Sequence, residues 1–271
     1  MTASPAPDFL SGTSGEVSGV RYTTRAFVLD VLCDALASAL LEGPRLRAAA
    51  TRSPRRRVLA LAIEREGEPT LLSAARAELS RSRHEVHFER AVAGRRGKFE
   101  NLNALLERQP PQGYDWLLVV DDDVALPGGF LDSFILLAER FELRLAQPAH
   151  RYRSHAAWGV TRRRPASLVR ETAFVEIGPV TAFHSTTFGT LLPFPPLRVG
   201  WGLDAHWSAV ARQRGWKLGI VDATPVRHGL RTIAAAYDRQ DAIDEAREFL
   251  AGRPYTPADE ARRTIATHRA L

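Results

Sequence analysis

The sequence of 271 residues contains one cysteine, Cys33, so no internal disulfide and no cysteine-based zinc site can form. Lysine is almost as scarce, since Lys98 and Lys217 are the only two. No apolar run approaches the roughly 20 residues that cross a bilayer. Residues 1–19 lack both the basic start and the apolar stretch of a signal peptide. These absences predict a cytoplasmic protein without a transmembrane segment.

The positive charge is carried almost entirely by arginine, and the net charge is +6. Arginines cluster at 44–57 and 161–164, and arginine suits bidentate contacts with phosphate or carboxylate. A solvated basic face is the alternative interpretation. A nucleic-acid partner is not expected, because the sequence shows neither a basic helix nor an aromatic platform. An anionic small substrate remains open. The loop at 150–172 is expected to contact an acceptor molecule or a phosphate group, because loops on rigid scaffolds carry specificity.

The chain divides into four expected segments. Residues 1–22 are predicted to be a disordered tail, and 23–57 an N-terminal helical extension. A helix at 23–43, stopped by Gly43-Pro44, is expected to dock on the domain or on a partner such as a second copy. A membrane-surface role is disfavoured because its polar face is not strongly basic. Its apolar residues at helical spacing are Phe27, Val31, Leu32, Leu36, Leu40 and Leu41.

Strands and helices alternate from Val58 onward, which predicts an α/β fold with an open, mostly parallel sheet flanked by helices. The catalytic domain is expected at 58–235, with a Rossmann-like nucleotide-binding half at 58–148 and an acceptor and metal half at 149–235. A C-terminal helical segment at 236–271 follows. The predicted strands are 58–63, 84–92, 114–120, 143–148 and 217–226, and the predicted helices are 69–82, 97–109, 127–141 and 204–215.

Three aspartates, Asp121, Asp122 and Asp123, directly follow the apolar strand at 114–120. Clustered carboxylates repel one another and are costly to bury unless a cation or a donor meets them. Ligands of open α/β sheets bind beyond the carboxyl ends of strands. The pattern therefore favours a divalent-metal site, and a solvated turn or a helix cap is the alternative.

Two further motifs accompany the triplet. "GKFENLN" (97–103) precedes it by one strand, and "GWGLDAHW" (200–207) with "VDATPVRHG" (221–229) follows it. In this order the three features resemble those of nucleotide-sugar glycosyltransferases of the GT-A fold, in the D-x-D-containing, inverting, family-2-like group. The resemblance covers about 58–229. The family often has two acids where this chain has Leu203-Asp204.

The resemblance implies a GT-A-like sheet and a site that binds Mn²⁺ or Mg²⁺. It assigns Asp204 as the general base. The implied nucleotide-sugar contacts are Lys98, Asn103, Asp121 and Asp122, and the implied metal ligands are Asp123, His228 and Asp121. Three more residues are expected to line the acceptor or sugar pocket, because they are polar groups in an apolar setting or an aromatic ring beside the base: Glu176, His184 and Trp201.

The expected reaction moves a sugar from a nucleoside-diphosphate sugar to an acceptor hydroxyl, with inversion of the anomeric configuration. UDP is the preferred prediction for the nucleotide of the donor, over GDP and dTDP. One alternative is a haloacid-dehalogenase-like phosphohydrolase that uses Asp121 as nucleophile and Asp123 as acid. Its motif normally opens a domain, whereas a strand-helix pattern precedes these residues here. The other alternative is a catalytically idle nucleotide-binding protein of the same fold.

Overall fold

A computed structural model describes residues 20–40, 42–229 and 238–271. Within them, nine strands form the sheet. The strands are β1 (Arg57–Glu64), β2 (Glu85–Val92), β3 (Trp116–Asp121), β4 (Val124–Ala125), β5 (Leu143–His150), β6 (Val169–Thr172), β7 (Val180–His184), β8 (Lys217–His228) and β9 (Thr264–His268).

Helices cover both faces of this sheet. They are α1 (Val20–Ala39), α2 (Glu42–Ala50), α3 (Leu72–Ser80), α4 (Lys98–Arg108), α5 (Phe130–Arg140), α6 (Phe188–Leu191), α7 (Leu203–Arg214), α8 (Arg239–Leu250) and α9 (Ala258–Ala261). One apolar core joins α4, α7 and α8 to the sheet, and the other joins α2, α3 and α5 to its opposite face. The expected α/β sheet flanked by helices is confirmed.

The strand order is β2-β1-β3-β7-β5-β8-β6-β9, and β4 pairs with β8. Strands β2, β1, β3, β5, β8 and β9 run in one direction, whereas β7 and β6 run in the other. The sheet is therefore mixed, with most of its strands parallel in direction. Strand β3 lies in the interior and alternates between the two cores: Trp116, Leu118 and Val120 face one, and Leu117 and Val119 face the other.

The elements between β1 and β5 match the sequence prediction within a few residues. Strand β1 was predictable because it is buried on both faces. Its residues Val58 to Ala62 are fully buried and therefore form a continuous apolar run in the sequence. The short strands β4, β6, β7 and β9 were not predicted. Strand β9 pairs with β6, so the C-terminal segment, expected to be helical, ends as part of the sheet.

The N-terminal helix differs from its prediction in two respects. Gly43 and Pro44 do not stop it, because α1 ends at Ala39 and these two residues lie in the first turn of α2, where proline is tolerated. The expected apolar stripe also does not dock on the domain. Residues Ala26, Asp30 and Cys33 are buried instead, whereas Phe27, Val31, Leu32, Leu36 and Leu40 are exposed. Leu41 and residues 1–19 of the expected tail lie outside the described residues, whereas residues 20–22 of that tail belong to α1.

Candidate active site

The aspartate triplet lies where β3 ends and the chain turns into β4. Asp122 and Asp123 are buried, and Asp121 is partly buried. The backbone N–H of Asp121 donates to the carbonyl of Pro179 at 2.8 Å. This bond ties the end of β3 to the loop that precedes β7, so the turn is held from two sides of the sheet.

Asp122 turns away from its two neighbours. Its Oδ2 accepts a hydrogen bond from the backbone N–H of Arg65 at 2.9 Å, and its carbonyl accepts one from Leu71 at 2.6 Å. These bonds fix the connection between β1 and α3. The contacts of Asp122 therefore indicate a structural role, which differs from the nucleotide contact that the sequence predicted.

Asp123 meets His228 because β4 and β8 pair in antiparallel register, with Val124 opposite His228. The Nε2 atom of His228 lies 2.9 Å from Oδ1 of Asp123. The Oγ of Ser154 accepts a hydrogen bond from the backbone N–H of His228 at 2.8 Å, so the end of β8 is anchored. Burial acts to lower the pKa of His228, but the hydrogen bond and charge of Asp123 outweigh it and raise that pKa above its ordinary value.

Asp121, Asp123 and His228 form a group that could hold a metal ion. Each offers one ligand atom, and these atoms lie within 4.8 Å of one another. Two carboxylate oxygens and one imidazole nitrogen suit a divalent cation such as Mn²⁺, and they leave positions free for the oxygens of a substrate. The donor set fits the predicted metal.

Lys98 brings a positive charge to the same place. As the first residue of α4, it directs Nζ to within 2.6 Å of Oδ1 of Asp121 and 3.4 Å of the carbonyl of Ile177. Gly178 approaches closely from the other side. A Cβ at this position would lie 2.6 Å from Oδ2 of Asp121 and 3.6 Å from Nζ of Lys98. A glycine is therefore required for Asp121 to keep this position.

Asp204 lies in the first turn of α7, which follows Gly202 in the left-handed region (φ 82°). Burial raises the pKa of Asp204 to about 7, and the charge of Glu176 adds to that rise. Hydrogen bonds from the backbone N–H groups of Ala205 and Ile177 act in the opposite direction. A solvated helix cap would keep a low pKa, whereas this carboxylate is suited to take up a proton near neutral pH.

The segment 176–178 links the two halves of the site. The N–H of Ile177 bonds to Asp204, its carbonyl faces Lys98, and Gly178 contacts Asp121. Glu176 begins this segment and is buried. Its Oε1 accepts hydrogen bonds from the N–H of Trp158 at 2.7 Å and from Thr161 at 2.9 Å, and its Oε2 lies 3.2 Å from Nε2 of His150. These contacts hold the segment in place.

Trp201 lies three residues before Asp204, between two glycines in the left-handed region, Gly200 (φ 88°) and Gly202. Its ring is partly buried and packs against the core that joins α4 and α7 to the sheet. The side chain is thus held by the core, and its stacking on a sugar remains a prediction.

Two predicted site residues are not brought to this site. Both amide atoms of Asn103 bond to the backbone of Phe194, at 2.7 and 2.9 Å, so Asn103 fixes a loop. His184 lies at the opposite edge of the sheet. Because β7 runs antiparallel to β3, His184 pairs with Trp116 at the amino end of β3, and its ring contacts Arg144. The sequence did not reveal the direction of β7.

Most of the arginines of the loop at 150–172 are also used within the fold. Arg170 is fully buried and forms a bidentate ion pair with Asp222, with N–O distances of 2.8 and 2.9 Å. Arg162 donates to the carbonyls of Arg151, Tyr152 and Ser154. The loop is therefore organised by its own guanidinium groups, which does not support the expected phosphate contacts of these arginines.

Sequence reasoning missed Glu245, on α8. Its carboxylate accepts hydrogen bonds from three consecutive backbone N–H groups, those of Arg198 at 2.6 Å and of Val199 and Gly200 at 3.0 Å. It thereby holds the loop that leads to Trp201. A glutamate on an amphipathic helix gives no sequence signal of such a role, whereas the glycine-rich "VGWG" did mark the loop itself.

Comparisons with known proteins give matches among solved structures at low sequence identity. No family model matches the sequence, and no curated protein matches it significantly. Among solved structures, GalNAc-T7 with UDP, GalNAc and Mn²⁺ is similar with a TM-score of 0.47 and 12% identity, over 67% of this chain and 45% of that one. A197 from STIV is similar with a TM-score of 0.45 and 11% identity, over 65% of this chain and 86% of that one. The chain thus spans under half the length of the first structure.

Within the described residues, none of the helices is both long and apolar enough to span a bilayer.

Proposed function

We propose that this protein is a metal-dependent glycosyltransferase that moves a sugar from a nucleoside-diphosphate sugar to an acceptor hydroxyl with inversion. The observation that carries the proposal is the Asp121, Asp123 and His228 group, with Lys98 beside it. The segment 176–178 connects this group to Asp204, a carboxylate with a raised pKa. This transfer requires a metal site, a positively charged side chain beside it and a general base. The metal group, Lys98 and Asp204 are proposed for these three roles.

The metal group and Lys98 serve the leaving side of the reaction. Asp121, Asp123 and His228 would hold Mn²⁺ or Mg²⁺, which as a Lewis acid stabilises the negative charge that develops on the departing diphosphate. Lys98, fixed at the start of α4, adds a positive charge and the helix N-terminus to the same region. Asp121 belongs to the metal group and also contacts this lysine, so it links the two.

Asp204 serves the attacking side. It would remove the proton from the acceptor hydroxyl, whose oxygen then attacks the anomeric carbon as the bond to the diphosphate breaks. One displacement inverts the anomeric configuration and needs no protein nucleophile. The family pattern often has a second acid beside this base, and here Glu176 is the neighbouring carboxylate that raises the pKa of Asp204.

Trp201 and Glu176 are proposed for the sugar and acceptor side. The ring of Trp201 packs against the core three residues before Asp204 in the chain and would offer an apolar face to a sugar ring. Glu176 would act by holding the segment 176–178, since its carboxylate already accepts two hydrogen bonds. UDP is the proposed carrier, and the acceptor is proposed only as a hydroxyl compound.

The test is release of nucleoside diphosphate from a panel of UDP-, GDP- and dTDP-sugars, with Mn²⁺ and with chelator, in the presence of mixed simple acceptors. One donor should be consumed only with metal, and NMR of the product should show an inverted anomeric centre. Asp204→Asn should abolish transfer and retain nucleotide binding. Turnover of a simple phosphate ester that depends on Asp121 would instead overturn the proposal in favour of a phosphohydrolase.

A further inference from the structure

An apolar stripe is exposed along α1. Among the described residues, five of the ten exposed large apolar side chains belong to this one helix, and a sixth, Leu40, directly follows it. They recur at helical spacing, so they form one continuous surface. An apolar patch of this extent usually marks an interaction site. The six are Phe27 (51% exposed), Val28 (49%), Val31 (48%), Leu32 (60%), Leu36 (38%) and Leu40 (41%).

The polar face of α1 is fixed against the domain, so the stripe cannot turn inward. Asp30 is buried and accepts hydrogen bonds from the backbone N–H groups of Tyr152 and Arg153, both at 2.9 Å. Asp34 forms ion pairs with Arg151 and Arg163. Both acidic groups of the helix are thus used by the loop at 150–172, and the outward face between residues 26 and 40 carries no charged residue.

The rim of this stripe is basic. Arg25 is exposed one turn before Val28 on the same face, and the guanidinium of Arg153 lies 5.3 Å from the ring centre of Phe27. In α2, which follows α1 directly, Arg45 and Arg47 are exposed. Residues 20–57 contain eight arginines and three acidic residues, a net charge of +5 in a chain of net charge +6.

We propose that α1 docks the protein on an anionic lipid surface, with the stripe in the interface and the arginine rim among the headgroups. An uncharged apolar face bordered by arginine is the arrangement of helices that lie in the plane of a membrane. Each arginine near an anionic leaflet strengthens such binding. A second copy of the chain is disfavoured as the occupant, because it would bring one arginine rim against another.

The sequence argued against this role because α1 itself is not strongly basic. The fold makes the surface around the stripe more basic than the helix alone, in two ways. Asp30 and Asp34 are both bonded to the loop at 150–172, and Arg153 of that loop lies beside Phe27 of the stripe.

Vesicle flotation of the full chain tests the proposal. Protein should float with phosphatidylcholine vesicles that contain phosphatidylglycerol, should remain behind with pure phosphatidylcholine, and should be released by high salt. Leu32→Ser should lower the bound fraction about tenfold through lost apolar burial. Arg153→Gln should lower it about fivefold. Ile265→Ser is the matched control, because Ile265 is an exposed apolar residue (66%) on β9, and it should float like the wild type.

Circular dichroism melts of each variant distinguish lost docking from lost folding. The melts should be unchanged, because Leu32 and Ile265 are exposed and Arg153 is partly exposed. Two results overturn the proposal. One is the absence of flotation on either vesicle. The other is a wild-type dimer in light scattering that Leu32→Ser dissociates, which would make a second copy the occupant of the stripe.

Discussion

Gly178 lies so close to Asp121 that a methyl group on its Cα would stand 2.6 Å from Oδ2 of that aspartate. This contact joins the loop before β7 to the end of β3. It restricts the carboxylate of Asp121 to the position in which it contacts Lys98 and lies near Asp123 and His228. The active-site account depends on that position, because Asp121 contacts the lysine and also offers a ligand atom to the cation.

Gly178→Ala should therefore weaken Mn²⁺-dependent binding of UDP by about tenfold or more, since the added methyl group must displace Asp121, a change on the order of 1.4 kcal/mol or more. Calorimetric titration measures this. Gly189→Ala is the matched control, because a Cβ at Gly189 meets no atom within 4 Å. Equal affinity in both variants would show that the place of Asp121 does not matter to the site.

Asp204→Asn should lower turnover by about 10²- to 10⁴-fold, the usual contribution of a general base, and leave the affinity for UDP with Mn²⁺ unchanged. The substitution removes the proton acceptor but none of the proposed metal ligands. Single-turnover transfer and nucleotide titration measure the two quantities. Loss of nucleotide binding together with turnover would place Asp204 in the nucleotide site instead.

The same variant should be more stable than the wild type at alkaline pH. The folded-state pKa of Asp204 is raised from 3.8 to about 7, so between these values the folded state retains a proton that the unfolded state has released. This difference lowers the free energy of unfolding as pH rises through that window, by at most about 4 kcal/mol at 1.4 kcal/mol per unit. Asparagine cannot ionise, so the gain should appear at pH 8 and vanish near pH 4 in urea melts.

The activity of the wild type should rise with pH and level off above about 7, because Asp204 must lose its proton to act as a base. The charge of Glu176 contributes to the raised pKa of Asp204. Glu176→Gln should therefore move the midpoint of the kcat/KM profile to lower pH. Glu66→Gln, at an exposed position, is the control and should leave it in place. A midpoint that does not move would show that Glu176 does not influence the titration of the catalytic base.

Glu245→Ala should lower kcat without a matching loss of UDP affinity. It removes the acceptor of three backbone N–H groups at Arg198 to Gly200, and so loosens the loop that leads to Trp201 and to α7, the helix of Asp204. The expected cost in stability is about 1–3 kcal/mol. Glu248→Ala, at an exposed position of the same helix, should change neither quantity. A loss in both variants would mean that α8 as a whole, and not this carboxylate, matters.

The parts of the fold that the sequence predicted are those with a strong local signal. Strands β1 and β3 have buried apolar runs, and α4 and α7 follow glycines that mark their starts. The strands that it missed, such as β7 and β9, are short and depend on partners far along the chain. The reversed direction of β7 explains why His184 was misplaced.

The candidate site was predictable where residue type alone implies chemistry. Asp123 and His228 could be proposed as metal ligands from their motifs, although only the antiparallel register of β4 and β8 brings them together. The hydrogen bond from the backbone N–H of Arg65 to Asp122 could not be predicted, because it depends on the pairing of β1 with β3. The inward face of α1 was likewise decided by the loop at 150–172, through contacts that helical periodicity does not encode.

The most direct test of the metal and nucleotide site is calorimetric titration of UDP, with and without Mn²⁺, into the wild type and into Asp123→Asn. Asp259→Asn is the control for the chemical change, since Asp259 is exposed on α9. The account predicts that UDP binds the wild type and Asp259→Asn only with Mn²⁺, and that this binding is lost in folded Asp123→Asn. Equal UDP binding with and without Mn²⁺, or unchanged metal-dependent binding in Asp123→Asn, would contradict it.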